Sequence, residues 1–333
     1  MIAVSHAAGL SLAGYTLLMA SVPAERPAHA GLRGWGAVQL GLASALFFGC
    51  AGDQSIGGLP SFSATVAVAS PPAVNECATP QPGWIWCDDF EEDRLSRYTY
   101  WNHPESFQRV AGVGVGGSYG MRAQWAEGQV EAGSLWMAMG QTPMSGWNKA
   151  DAGTAIYREV FWRMYLRTQP GWLGGSFYKL SRAMVFATAN WAQAAVAHVW
   201  GDPAATNTLQ LDPARGTDAA GNVLTTSYND GAHFTWLGTA YGRTPLFDAS
   251  HVGQWYCIEV HAKLNDAELS NGVFEYWING ILEAQQTELN WFGAFSTYGI
   301  NVVDFENYNN YGSPVAQERY FDNIVISTQR IGC

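Results

Sequence analysis

The feature that most constrains this chain is a series of short segments, from Trp84 to the end, in which apolar and polar residues alternate. Gly, Asn, Asp and Pro separate these segments, which is the pattern of β-strands joined by turns. The segment 161–167 places three apolar side chains on one face and three polar ones on the other: Trp162, Met164 and Leu166; Arg163, Tyr165 and Arg167. No long run of helical periodicity follows residue 50. The sequence therefore predicts an all-β fold, a single β-jelly-roll sandwich over residues 76–333.

Four further strands follow from the same alternation, at 193–200, 257–264, 273–278 and 320–327. The dipeptide Asn279-Gly280 comes directly after the third of these and is a strong signal for a two-residue hairpin turn. The segment 320–327 is predicted to be the closing strand.

Composition narrows the classes of function. The chain carries 15 Trp, 15 Tyr and 15 Phe, but charged residues make up only 14% of it. This excess of rings suits an all-β protein with an aromatic-lined surface. The net charge of −11 argues against a nucleic-acid partner, because phosphate binding needs clustered cations.

The amino end predicts an export signal. An uncharged apolar stretch, residues 34–49, follows Arg33 and is too short to span a bilayer comfortably. It ends in Leu46-Phe47-Phe48-Gly49-Cys50, which resembles the lipobox of bacterial lipoproteins, although Phe48 is larger than usual. We expect a targeting segment at 1–50, lipidation of Cys50, a flexible linker at 51–75 and a location at the bacterial cell surface or outer membrane. A plain secretory signal is the alternative, and the lipid anchor is the predicted contact with a membrane.

Export makes the remaining cysteines interpretable as disulfides, since an oxidising compartment favours them. The four cysteines after Cys50 allow three pairings. We favour Cys77–Cys87 and Cys257–Cys333, because the first pair closes a short Pro-rich loop and the second ties a strand to the end of the chain. A zinc site is disfavoured because C-x-x-C spacing and neighbouring histidines are lacking.

Four stretches then carry a family resemblance: 86–91 (WCDDFE), 253–260 (GQWYCIEV), 276–280 (YWING) and 320–324 (YFDNI). In this order they resemble the concanavalin A-like β-jelly-roll polysaccharide lyases of the alginate, glucuronan and heparin-lyase-I type. They are also similar to laminin-G-like carbohydrate-binding modules. The resemblance covers about residues 84–330. It implies a polysaccharide partner, with cleavage of a uronate-containing glycan by β-elimination. Non-catalytic carbohydrate binding is the alternative, since one fold hosts many activities.

The acidic residues could serve either glycoside hydrolysis or calcium binding. A retaining glycoside hydrolase of this fold needs a paired-carboxylate strand of the type Glu-x-Asp-x-x-Glu, which the sequence lacks, so hydrolysis is the less favoured activity. The acidic run 88–93 lies where jelly rolls often hold a structural calcium together with an Asp of the last strand. Asp89, Glu91 and Asp322 are the candidate ligands, and a solvated acidic turn is the alternative. No cofactor is expected for catalysis.

A local excess of positive charge is the strongest functional signal. The segment 158–182 holds five basic residues and a single acid, Glu159, in a chain that is acidic overall. We name this segment the basic strip. If the strip lines one face of a groove, its guanidinium groups would pair with the carboxylates of a glycan, and its aromatic side chains would contact the sugar rings. The alternative is a solvated face whose arginines pair with acids elsewhere.

A β-elimination mechanism assigns roles to these groups. A cation neutralises the uronate carboxylate, a base removes the C5 proton, and an acid protonates the leaving oxygen. The resemblance implies a tyrosine or histidine as the base and a tyrosine as the acid. The catalytic candidates are Lys179 and Arg182 as neutralisers, His198 or Tyr178 as base, and Tyr165 or a residue of 307–311 as acid. The candidates for substrate binding are Arg163, Arg167, Trp200, Tyr308 and Tyr311.

Overall fold

The computed structural model describes residues 74–173, 178–201 and 206–333. The predicted signal segment, Cys50 and nearly all of the predicted linker lie outside these residues. Within them the chain forms strands and four short 3₁₀ turns. The turns are Glu76–Ala78, Leu95–Arg97, Val115–Gly117 and Gly231–His233. No helix among the described residues is both long enough and apolar enough to span a bilayer.

The strands follow one another in chain order. They are β1 (Trp84–Asp88), β2 (Tyr100–Asn102), β3 (Phe107–Ala111), β4 (Tyr119–Trp125), β5 (Glu131–Ala138), β6 (Glu159–Thr168), β7 (Tyr178–Phe186), β8 (Gln193–Gly201), β9 (Leu209–Arg215), β10 (Thr235–Trp236), β11 (Ala240–Tyr241), β12 (Tyr256–Lys263), β13 (Gly272–Ile278), β14 (Ile281–Leu289), β15 (Val302–Asn309) and β16 (Gln317–Ser327). The five strands predicted from alternation are therefore confirmed, with shifts of at most a few residues at their ends.

These strands form two antiparallel sheets. The first sheet has the order β14-β13-β12-β6-β16-β4-β3, and β1 pairs with the second half of β16. The second sheet has the order β10-β9-β8-β7-β15-β5-β2, and β11 also pairs with β9. Consecutive strands pair toward the sheet edges, whereas the central pairs β6-β16 and β7-β15 join strands far apart in sequence, as in a jelly roll. The predicted all-β sandwich is confirmed.

The core lies between the sheets because each central strand turns its apolar face inward. Trp162 of β6 is fully buried, and its indole N–H donates to the hydroxyl of Ser181 on β7, 3.0 Å away. Tyr276 of β13 likewise reaches across to the carbonyl of Leu209 on β9. In β6 the inward residues are those that the alternation predicted, so the polar side chains of that strand face away from the core.

Both predicted disulfides are present. Cys77 bonds to Cys87, and Cys257 on β12 bonds to Cys333. The predicted hairpin turn also forms between β13 and β14. Asn279 and Gly280 both adopt positive φ, 49° and 81°, as the favoured two-residue hairpin turn requires.

Candidate functional site

The face of the second sheet that points away from the core carries a row of chemically active side chains. Register places Glu131 of β5, Tyr308 of β15, Lys179 of β7, Trp200 of β8 and Gln210 of β9 opposite one another in that order. Adjacent strands lie roughly 4.8 Å apart, so this first row extends roughly 19 Å across the sheet. A chain of several sugar units lying across the strands would meet the four half-buried members of the row, whereas Gln210 is buried.

A second row runs parallel to the first, with Trp136, Asp304, Arg182, His198 and Asp212 on the same five strands. All five of these side chains are buried. The second row therefore forms the floor of the site beside the more accessible first row.

The cation of the second row is already neutralised. The Arg182 guanidinium lies 3.2 Å from Asp304 Oδ2 and 2.8 Å from Glu306 Oε2. It also donates to Asn229 Oδ1 at 2.9 Å and to the hydroxyl of Tyr228. Burial disfavours its charge, but the two acidic neighbours outweigh that effect and hold the pKa of Arg182 above its ordinary value. Arg182 was predicted to neutralise a substrate carboxylate, and this prediction is wrong because its own partners occupy the guanidinium.

Lys179 lies among rings rather than carboxylates. Its Nζ is 4.2 Å from the ring centroid of Tyr308 and 5.9 Å from that of Trp200. No carboxylate of the described residues comes within 4.0 Å of it, whereas Arg182 has two. Burial lowers the pKa of Lys179, and Glu306 partly opposes that shift. Cation–π contacts of this kind hold the ammonium in place without neutralising its charge.

His198 is held as a neutral imidazole. Its Nδ1 lies 3.0 Å from the backbone carbonyl of Asp212, and since a carbonyl only accepts, Nδ1 carries the proton. Burial lowers the pKa of His198 well below its ordinary value, and the charges of Arg182 and Lys179 lower it further. The Nε2 lone pair is then available to accept a proton. The rings of Trp200 and Trp236 lie 4.8 and 5.6 Å from the imidazole.

An open cleft of about 320 Å³ continues the first row beyond Trp200. Its walls come from β8, β9 and the segments that pair with β9. They are Trp200, Gln210, Asp212, Trp236, Gly238, Thr239 and Tyr241. Trp236 is 49% exposed and Tyr241 is 56% exposed, which is unusual for rings of their size. Exposed rings beside amide, hydroxyl and carboxylate groups are suited to stack against a sugar and bond its hydroxyls.

The basic strip does not form one surface. Arg163, Tyr165 and Arg167 of β6 lie on the outer face of the first sheet, whereas Lys179 and Arg182 lie on the second. Buried Arg163 pairs with Glu76. The alternation within β6 was predicted correctly, but the sheet to which each strand belongs depends on pairing with distant segments.

Arg167 and Tyr165 are also structural. The Arg167 guanidinium donates to the carbonyl of Val113 at 2.9 Å and lies 4.5 Å from the ring of Tyr320. Tyr165 packs beside Cys257, and burial raises its pKa to about 12. The predictions that Arg163 and Arg167 bind substrate with Lys179, and that Tyr165 supplies the acid there, are wrong because these side chains are on the other sheet.

The structure tests the predicted role of Tyr178 but not that of Tyr311. Tyr178 points into the core, where its ring packs on Trp172 and its hydroxyl lies 3.4 Å from Ser313 Oγ, so the prediction that it is the base is wrong. Its neighbour Lys179 faces the opposite way. Tyr311 is 68% exposed in the turn after β15, and its predicted contact with substrate stays a prediction.

The three candidate calcium ligands, Asp89, Glu91 and Asp322, have different surroundings. Asp89 accepts hydrogen bonds from the backbone N–H groups of Cys77 and Glu91, and its role as a calcium ligand stays a prediction. Asp322 instead faces Glu91 across the turn 114–119. Its Oδ2 accepts the Val115 N–H at 2.7 Å. The described residues hold no group of three or more His, Cys, Asp or Glu side chains that could bind a metal.

The oxygens around Gly114 nevertheless match the ligands that calcium prefers. A Cβ on Gly114 would lie within 3 Å of the carbonyl of Tyr119, the hydroxyl of Ser118 and Asp322 Oδ2, so these three oxygens converge on one glycine. With the nearby carboxylate of Glu91 they would supply hard oxygen ligands. The calcium site therefore stays a prediction, on Asp89 or Glu91 together with Asp322.

Sequence reasoning missed several members of the site. They are Glu131, Gln210, Asp212, Trp236, Tyr241, Asp304 and Glu306. A signal existed, because Leu209-Gln210-Leu211-Asp212 and Val303-Asp304-Phe305-Glu306 both alternate apolar with polar residues. Alternation places these residues on one face of each strand, but it does not say which other strands supply the neighbours.

Solved structures of similar fold were found among the polysaccharide lyases. An endo-β-1,4-glucuronan lyase from the fungus Trichoderma reesei matches with a TM-score of 0.50 and 12% identity, over 74% of this chain and 96% of that one. An alginate lyase from Chlorella virus matches with a TM-score of 0.52 and 13% identity, over 74% and 100%. A marine alginate lyase from Aplysia kurodai matches with a TM-score of 0.50 and 10% identity, over 74% and 99%.

The chain has the jelly-roll fold of these lyases. The predicted resemblance is thereby confirmed at the level of fold. No protein-family model and no curated protein sequence matches the chain. At identities this low the shared fold does not carry the activity with it.

Proposed function

We propose that this protein is a polysaccharide lyase that cleaves a uronate-containing glycan by β-elimination on the outer face of the second sheet. The observation that carries the proposal is the grouping of Lys179, His198 and Tyr308 on three adjacent strands, beside exposed rings on which sugars can stack. The shared fold with a glucuronan lyase and two alginate lyases adds support.

The three side chains can divide the reaction between them. Lys179 binds the C6 carboxylate of the uronate and so makes the C5 proton more acidic. His198 removes that proton with Nε2, and the electron pair of the broken C–H bond forms a double bond between C4 and C5. The bond from C4 to the glycosidic oxygen breaks, and the hydroxyl of Tyr308 donates its proton to that oxygen. Solvent then carries the proton from the imidazolium back to the phenolate.

The test is the ultraviolet absorbance of the unsaturated uronate product, measured on a panel of uronate-containing glycans. We expect product from the wild type and a loss of about 100-fold or more in kcat for Lys179→Ala, since a transition-state charge contact is removed. Tyr308→Phe and His198→Ala should lose activity to a similar degree. Lys263→Ala and Tyr320→Phe are matched controls on the first sheet and should retain it.

Absence of unsaturated product from every glycan of the panel would overturn the lyase proposal. So would full activity in a folded Lys179→Ala protein. New reducing ends without the absorbance would indicate hydrolysis instead.

Carbohydrate binding without cleavage is the second candidate, and the pairing of Arg182 favours it. Two carboxylates already neutralise that guanidinium, so one cation fewer is free to stabilise the enolate-like transition state. Glycan affinity without product in the same panel would support this candidate.

We further propose that the protein is exported and anchored by a lipid on Cys50. Two disulfides among the described residues favour an oxidising compartment. Fractionation of cells that express the full chain tests the anchor: wild-type protein should be recovered with the membranes, and Cys50→Ser protein should not. Equal recovery of both would contradict it.

A further inference from the structure

The cations of the two rows limit how many carboxylates of a bound glycan the site can neutralise. Of the two cations in the described rows, Arg182 is held by Asp304 and Glu306, and Lys179 has no carboxylate within 4.0 Å. One unpaired ammonium can neutralise one carboxylate of a bound glycan. Each further carboxylate of a bound homopolyuronate would lie in the rows without a charge-assisted bond to a cation.

The cleft beyond Trp200, unlike the site around Lys179, is lined by no cation of the described residues. The seven residues that line it include rings, an amide and a hydroxyl, and its single charged side chain is the carboxylate of Asp212. The two internal segments outside the described residues, 174–177 and 202–205, contain no Lys, Arg or His that could add a cation. A sugar carboxylate in this cleft would lose water, gain no cation and lie beside a like charge.

The cleft nevertheless fits an uncharged sugar. Trp236 is 49% exposed and Tyr241 is 56% exposed, which leaves ring surface for a pyranose to cover. The amide of Gln210 and the hydroxyl of Thr239 both donate to the carboxylate of Asp212, and the remaining lone pairs of these oxygens can accept hydrogen bonds from sugar hydroxyls. The ring of Trp200 lies between this cleft and Lys179, 5.9 Å from Nζ and 6.0 Å from the ring of Trp236. The two subsites are therefore adjacent.

We infer that the glycan recognised here is mixed, with a uronate bound at Lys179 and an uncharged sugar in the adjoining cleft. The substrate class is a heteropolysaccharide in which uronate units are flanked by neutral ones. The inference deepens the proposed function and rests on it for the identity of the reactive sugar. It separates this chain from lyases whose substrates carry a carboxylate on every unit.

Equilibrium binding tests the inference without requiring cleavage. Two oligosaccharides of equal length are compared by calorimetry, one alternating uronate with neutral sugars and one made of uronate alone. We expect the alternating oligosaccharide to bind at least about tenfold more tightly, which is ~1.4 kcal/mol. Asp212→Asn should improve binding of the homopolyuronate and narrow this gap, because it removes the like charge. Asp266→Asn, an exposed acid beyond β12, is the matched control and should not change the ratio.

The outcomes separate this inference from the proposed function. Equal or tighter binding of the homopolyuronate by the wild type overturns the inference, whether or not product forms. An unchanged ratio in a folded Asp212→Asn protein also overturns it. Preference for the alternating oligosaccharide without any unsaturated product supports the inference and overturns the lyase activity. If Asp212→Asn fails to fold, the wild-type comparison still decides.

Discussion

At the scale of single residues, the site depends on how each cation is partnered. Arg182 and Lys179 lie on the same face of β7, because a register shift between Lys179 and Ser181 interrupts the alternation, yet their surroundings differ. The first meets two carboxylates, and the second meets the rings of Tyr308 and Trp200. The same strand thus supplies a structural cation and one free to bind a substrate anion.

This difference predicts the pH dependence of activity. The pKa of His198 is lowered well below its ordinary value, so the proposed base is neutral and can accept a proton at neutral pH. Lys179 is charged below its pKa, which burial lowers from 10.5, and it loses its charge as the pH rises through the lowered value. Activity should therefore be flat around neutrality and fall on an alkaline limb that lies below pH 10.5.

A pH profile of kcat/KM for wild type and Lys179→Arg checks this prediction. Arginine stays charged throughout, so any activity that the variant retains should lack the alkaline limb. An unchanged limb in the variant would assign the titration to another group.

At the scale of elements, the sequence predicted each strand better than it predicted the neighbours of that strand. Alternation gave the inward and outward faces of β6 correctly, because the period of two is a local property. It could not reveal that β6 and β7 join different sheets, since β6 pairs with β12 and β16 and β7 pairs with β8 and β15. Four members of the predicted site were therefore misplaced or inward-facing, while Lys179, His198, Trp200 and Tyr308 were brought together.

The link between the first and last strands carries a prediction about calcium. Glu91 follows β1 and Asp322 lies in β16, so an ion between them would hold the first and last strands of the fold together. Calcium should raise the thermal midpoint relative to protein in a chelator, because a ligand of the folded state alone stabilises it. Asp322→Asn should abolish this shift, while Asp93→Asn should keep it. A wild-type midpoint that is equal in calcium and chelator would contradict the site.

At the scale of the whole molecule, the net charge of −11 opposes the approach of a polyanion. Long-range repulsion of this kind acts over the Debye length, which is about 30 Å at 0.01 M salt and about 8 Å at 0.15 M. The basic strip would have predicted binding that weakens with salt. The folded molecule instead separates that strip between two sheets and leaves one unpaired cation in the described rows of the site.

The salt dependence of glycan affinity therefore distinguishes a groove lined by several cations from a site with Lys179 as the one unpaired cation of its described rows. We expect the affinity for a homopolyuronate to stay level or rise between about 0.01 and 0.15 M salt, because screening removes more repulsion from the acidic surface than attraction from Lys179. Lys179→Ala should make that rise steeper, since the attractive contribution is gone. A neutral oligosaccharide is the control and should show no salt dependence. A steep fall in homopolyuronate affinity over the same range would mean that several cations act together, and would restore the groove that the basic strip predicted.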